Sequence, residues 1–121
     1  MRIPFPHRAP ADSCLRVCKR LLSETVHTQP GKRLPKERVR NALSQGLGYR
    51  SYDELIRCVG QADGLVQPPP ASDLRQALVI GFSLALAVAH ASGFIFNGQI
   101  VELADRLAAE AVQLLDRKSE P

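Results

Sequence analysis

The stretch ALVIGFSLALAVAHASGFIF, residues 77–96, carries no Asp, Glu, Lys or Arg. Wound as a helix, it shows apolar side chains on every side, so it must be hidden from water on nearly all sides. Ala77, Gly81, Ala85 and Ala89 recur every fourth residue and form a ridge of small side chains, against which another backbone can approach closely. Leu78, Phe82 and Leu86 form a bulky row on one flank, and Ile80, Leu84 and Val88 form another.

Two readings of this stretch compete. About 20 apolar residues span a bilayer, and the basic N-terminal half of the chain would then stay cytoplasmic. Against a membrane span, Gly81, Ser83, His90, Ser92 and Gly93 dilute the run. The segment that follows also argues for protein as the cover. Ile100, Ala104, Leu107, Ala111 and Leu114 form an apolar seam that wants a helical partner. Glu102, Asp105, Arg106, Glu110, Gln113 and Arg117 form its wet face. The expected arrangement is a helical hairpin: a helix over 73–92 capped by Ser72 or Asp73, a stop at Gly93, and a helix from an Asn97 cap to about residue 117. One partner helix covers one side of the central rod. The N-terminal helices cover the rest, or a second copy does, giving a homodimer with Ala77, Gly81, Ala85 and Ala89 at its interface.

Upstream, Pro68-Pro69-Pro70 makes 61–71 a stiff linker. Three prolines make 1–10 an extended arm. Between them the spacing predicts three helices. The first opens at Asp12 or Ser13 and turns Cys14, Cys18, Leu21 and Leu22 inward, with Arg16, Lys19 and Arg20 outside. A turn at Thr28-Gln29-Pro30-Gly31 follows. The second helix starts at Pro35, buries Val39, Ala42, Leu43 and Leu47, and stops at Gly48. Ser51 with Glu54 makes a capping box for the third, which carries Leu55, Ile56 and Val59 inward and ends at Gly60. The fold class is therefore all-α: three short N-terminal helices plus a C-terminal helical hairpin with a buried central helix. The organisation reads as an arm at 1–10, a basic three-helix part at 11–60, the linker at 61–71 and the hairpin at 72–121, forming one compact unit.

Composition narrows the function. The 121 residues are 45% apolar, with only six aromatic rings and no Trp, too few rings for a stacking platform on single-stranded nucleic acid. The net charge of +4 is unevenly placed: residues 1–76 are basic on balance and residues 77–121 acidic. Such asymmetry suits an anionic partner. Three cysteines fit no disulfide framework. Met1-Arg2-Ile3-Pro4-Phe5-Pro6 lacks the apolar run of a secretory signal, so a cytoplasmic protein is expected.

Residues 38–60 read RVRNALSQGLGYRSYDELIRCVG. Leu47, Gly48, Tyr49, Ser51, Tyr52, Glu54 and Leu55 carry a likeness. The segment resembles the short L-G-Y-x-S-Y-x-E-L helix–turn–helix of small bacterial, plasmid and phage proteins. The resemblance covers about a fifth of the chain. It implies two helices meeting at an angle, and a regulator or inhibitor of host or phage machinery.

No catalytic pattern accompanies it. Gly46-x-Gly48 ends a helix where a phosphate loop would open one. His90 has no Ser, Asp or second His at triad spacing. Cys14 and Cys18 lie one turn apart and, with His7, His27 or Cys58, raise a zinc site, but their face continues into Leu21 and Leu22 as that of small buried hydrophobes does. The chain reads as a non-enzymatic protein with no cofactor and no metal, binding a larger protein or nucleoprotein. Arg16, Arg20, Lys36, Arg38, Arg40 and Arg50 supply the contact charges, and Tyr49 and Tyr52 the exposed anchors. Nucleic-acid binding through the same residues is the alternative. Asp53 and Glu54 at the start of the third helix oppose groove reading, because they would face phosphates.

Overall fold

A computed structural model describes residues 3, 5, 8–26, 33–59 and 70–119. Among them are five helices: α1 (Arg8–Thr25), α2 (Lys36–Gly46), α3 (Tyr52–Cys58), α4 (Ala71–Ala91) and α5 (Ile100–Ser119). The fold is all-α, as the periodicities require. The turn at 28–31, the Gly60 stop and all of the linker but its last two residues lie outside the described residues.

The starts of α1, α4 and α5 differ from expectation, whereas the Ser51 cap of α3 and the glycine stops of α2 and α4 do not. α1 begins at Arg8, a turn before Asp12. Pro10 is tolerated because a first-turn N–H has no intrahelical partner to lose, and Asp12 then accepts from Arg8 Nε at 3.4 Å. α4 begins at Ala71 after an extended Pro70, with no side-chain cap, so Ser72 and Asp73 lie inside its first turn. α5 begins at Ile100, not behind Asn97, because Gly98 turns the chain with φ +108° and the Gln99 carbonyl takes the first helical bond, from Leu103 N–H at 3.0 Å. At the other ends, Gly48 and Gly93 adopt φ of 99° and 89°. Tyr49 N–H reaches Ser44 O, and Phe94 N–H reaches Ala89 O, both at 3.0 Å. Each is the six-to-one closure of a glycine-terminated helix, which satisfies carbonyls left open by the last turn. α3 is capped by Ser51 Oγ, which accepts from Glu54 N–H at 3.2 Å, while Glu54 Oε1 accepts from Arg50 N–H at 3.2 Å.

α4 packs most extensively on α5 and α2, and α1 lies chiefly on α5 and α2. Leu78, Phe82 and Leu86 are fully buried against a core that includes Leu22, Leu43, Leu47 and Leu107. The small-residue ridge receives α2. A Cβ on Gly46 would overlap the Gly81 backbone and lie 2.9 Å from Ala77 O, and one on Gly81 would lie 3.3 Å from Leu43 O. Ala77, Gly81, Ala85 and Ala89 are all buried by the chain itself, so this ridge offers no open face to a second copy.

The expectation that α4 is hidden all round is corrected by its far side. Ile80 is 55% exposed and Leu84 38%, with Ala87 and Ala91 continuing the stripe. α1 touches α4 only lightly and α3 makes no extensive contact with it, so two helices cover one broad face and leave the other bare. The arm, in contrast, is anchored. Ile3 is 1% exposed and Phe5 is buried. Ile3 N–H donates to Leu47 O at 2.8 Å, and Tyr49 Oη donates to Ile3 O at 2.9 Å.

Two stability measurements follow from this packing. Gly46→Ala forces the α2 and α4 backbones apart and should lower unfolding free energy by about 3 kcal/mol in urea titration, with Gly81→Ala costing less. Tyr49→Phe removes a buried hydrogen bond and leaves the Ile3 carbonyl unpaired. It should cost about 1–3 kcal/mol and expose the arm to limited proteolysis before the rest of the chain.

Candidate functional site

α1 and α2 place their cations towards each other because each has an apolar stripe facing the core and a basic face opposite it. On α1, Asp12, Arg16 and Lys19 fall at i, i+4 and i+7 and so share one side. On α2, Lys36 and Arg40 are one turn apart. A pocket of about 290 Å³ opens between the helices, lined by Asp12, Leu15, Arg16, Lys19, Arg40 and Tyr52.

Tyr52 organises this pocket. Its backbone N–H donates to Asn41 Oδ1 at 3.0 Å, which ties the start of α3 to the middle of α2. Its hydroxyl donates to Asp12 Oδ1 at 3.1 Å. The ring is thereby held at both ends, and the Arg40 guanidinium lies over it with Cζ 4.1 Å from the ring centroid. A guanidinium on an aromatic face is favourable and orientationally restricted. Arg40 Nε is buried and has no hydrogen-bond partner among the described residues.

The electrostatics are uncompensated. Asp12 is the carboxylate of the pocket wall, and its oxygens are taken by the Tyr52 hydroxyl and by Arg8. Among the described residues, Arg16, Lys19, Lys36 and Arg40 form no ion pair, whereas Arg8, Arg20, Arg50 and Arg75 each have a carboxylate partner. The Lys19 ammonium is held below the ordinary lysine pKa, first by burial, then by the charges of Arg40 and Lys36.

Of the residues singled out from sequence, the structure brings Arg16, Arg40 and Tyr52 into this pocket, with Lys36 close enough to act on Lys19. It separates the others. Arg20 pairs with Glu24 at 3.3 Å, and Arg50 lies 4.0 Å from Glu54. Arg38 lines a different groove, of about 440 Å³, between α2 and the bare side of α4. Tyr49 is 6% exposed, its ring in the core, so it is no exposed anchor. Lys19 and Asp12 are not among the residues expected to lead the contact. Their shared stripe with Arg16 was the available signal, but the meeting of α1 with Tyr52 spans 40 positions and is purely tertiary.

Cys14 and Cys18 are buried side by side. A hydrogen bond with Cys14, then burial, then the Cys14 charge push the Cys18 thiol well above its ordinary pKa, which opposes thiolate chemistry. Among the described residues no three His, Cys, Asp or Glu side chains gather as a metal-binding group. His90 is exposed, edge-on to the Phe96 ring with centroids 6.2 Å apart. The chain matches no protein-family model, no curated protein and no solved structure.

The crowding of cations has a measurable sign. Because folding lowers the Lys19 pKa, the protonated side chain opposes folding at neutral pH. That penalty fades as pH rises through the folded-state value towards the ordinary lysine value. Lys19→Met, which keeps the aliphatic stem, should stabilise the protein by about 0.5 kcal/mol at neutral pH, with the gain shrinking at alkaline pH. Denaturant titrations at the two pH values measure both.

Proposed function

We propose that the protein is a non-catalytic, cytoplasmic helical binding protein whose α1–α2 basic face docks on an acidic surface of a larger protein or nucleoprotein, acting as a regulator or inhibitor. The observation that carries this reading is the set Arg16, Lys19, Lys36 and Arg40, drawn together from two helices without a paired carboxylate among the described residues. Such a cluster weakens the fold, and a local conflict of that kind is where function is expected. The likeness of residues 38–60 to segments of small plasmid and phage proteins supports the regulatory role.

Nucleic acid is the second reading, supported by the same cluster. Groove insertion is opposed by Asp53, exposed at the first turn of α3, and by the ties that Ser51, Asn41 and Asp12 make around that turn. Contact through backbone phosphates alone remains compatible with the charge.

Charge reversal separates these readings. The immobilised chain should capture a defined set of proteins from cell extract at low salt, and Arg16→Glu with Lys36→Glu should weaken that capture about tenfold or more. Capture that vanishes on nuclease treatment transfers the assignment to nucleic acid, with the steep salt dependence of phosphate contacts. Capture unchanged by the double reversal overturns both. Recovery of the chain only in detergent-solubilised membranes overturns the cytoplasmic assignment, since α4 by length and composition alone could cross a bilayer.

A further inference from the structure

The pocket between α1, α2 and α3 has features that a general basic face does not need. It is concave, with a volume of about 290 Å³, and one of its cations, Arg40, is positioned rather than free. Arg40 is stacked on a ring that is itself tied at both ends, by Asn41 and by Asp12. Burial strips water from Arg40 Nε, and nothing in the described residues replaces it.

We infer that the pocket formed by Arg16, Lys19 and Arg40 beside Tyr52 is a binding site for a dianionic phosphate group. The inference rests on the docking role proposed above and names the chemistry of what is docked. Arg16, Lys19 and Arg40, with Lys36 close by, outweigh Asp12, whose oxygens already take the Tyr52 hydroxyl and Arg8, and this excess of positive charge suits a doubly charged phosphate monoester better than a single carboxylate. Arg presents its donors in a planar fork suited to phosphate oxygens, and Lys adds a compact charge. A terminal monoester brings two charges to one point, as the clustered cations require, whereas a diester strand carries one charge per phosphate. The Lys19 ammonium gains most from an occupant, because the charges of Arg40 and Lys36 that now disfavour its protonation would be offset.

The test is a titration of the full chain with inorganic phosphate, followed by two-dimensional NMR against sodium chloride at matched ionic strength. Saturable shifts confined to Arg16, Lys19, Arg40 and Tyr52 are expected with phosphate and not with chloride. Lys19→Gln and Arg40→Gln should each weaken binding about tenfold or more, while Arg20→Gln and Arg38→Gln change it less than about twofold. Thermal melts show which variants are folded, and Lys19→Gln, on a partly exposed side chain, keeps the test valid if Arg40→Gln is not. Phosphate shifts no larger than those with chloride, or a folded Lys19→Gln protein that binds as wild type does, would overturn the inference. A phosphoserine peptide with its unphosphorylated counterpart distinguishes the sources. Binding at least tenfold tighter than inorganic phosphate assigns the site to a phosphorylated partner, and equal binding assigns it to a free phosphate compound. Partner capture that persists without phosphate binding defeats this inference alone, and phosphate binding with capture insensitive to Arg16→Glu and Lys36→Glu defeats the docking role alone.

Discussion

The contact between Gly46 and Gly81 is the constraint on which the rest of the structure depends. Two helices normally stand 8–10 Å apart because their side chains keep them there. Here the absence of a Cβ on either residue lets α2 settle backbone-to-backbone on α4. That approach seats Leu43 and Leu47 in the core beside Leu78 and Phe82. It also sets the height of α2 above the hairpin, and so the position from which Arg40 meets α1 and Tyr52. The small-residue ridge therefore joins the two halves of one chain.

The L-G-Y-x-S-Y-x-E-L segment is built into the fold to a degree its motif-like appearance does not suggest. Leu47 offers its carbonyl to Ile3, Gly48 closes α2, and Tyr49 fixes the arm with its hydroxyl. Ser51 and Glu54 cap α3, Tyr52 bridges to Asn41 and Asp12, and Leu55 is fully buried. Only Tyr52 also faces the candidate site. A helix–turn–helix resemblance here reports a way of joining four parts of a small protein.

Local signals in the sequence suffice where local physics decides: the glycine stops at Gly48 and Gly93, the Ser51 cap, and the inward stripes of α1, α2 and α5. They fail at helix starts where proline or the following glycine outweighs a capping side chain, as at Arg8, Ala71 and Ile100. The bare side of α4 was invisible because hydropathy says what should be covered, not how many helices are near enough to cover it. Half of the pocket was legible as charge. Its other half, the meeting of Lys19 with Arg40 over an oriented Tyr52, exists only after α1, α2 and α3 converge. Tyr49 shows the same limit, since its ring could be counted from the sequence but not placed.

The clasp on Ile3 has a consequence for how the molecule comes into being. A ribosome delivers the N-terminal arm first, yet the groups that hold it, Leu47 O and Tyr49 Oη, emerge more than forty residues later. The seat for α2 on α4 appears later still. Ile3 and Phe5 therefore stay uncovered until residues 47–49 have been made, and the core closes only once α4 and α5 follow α2.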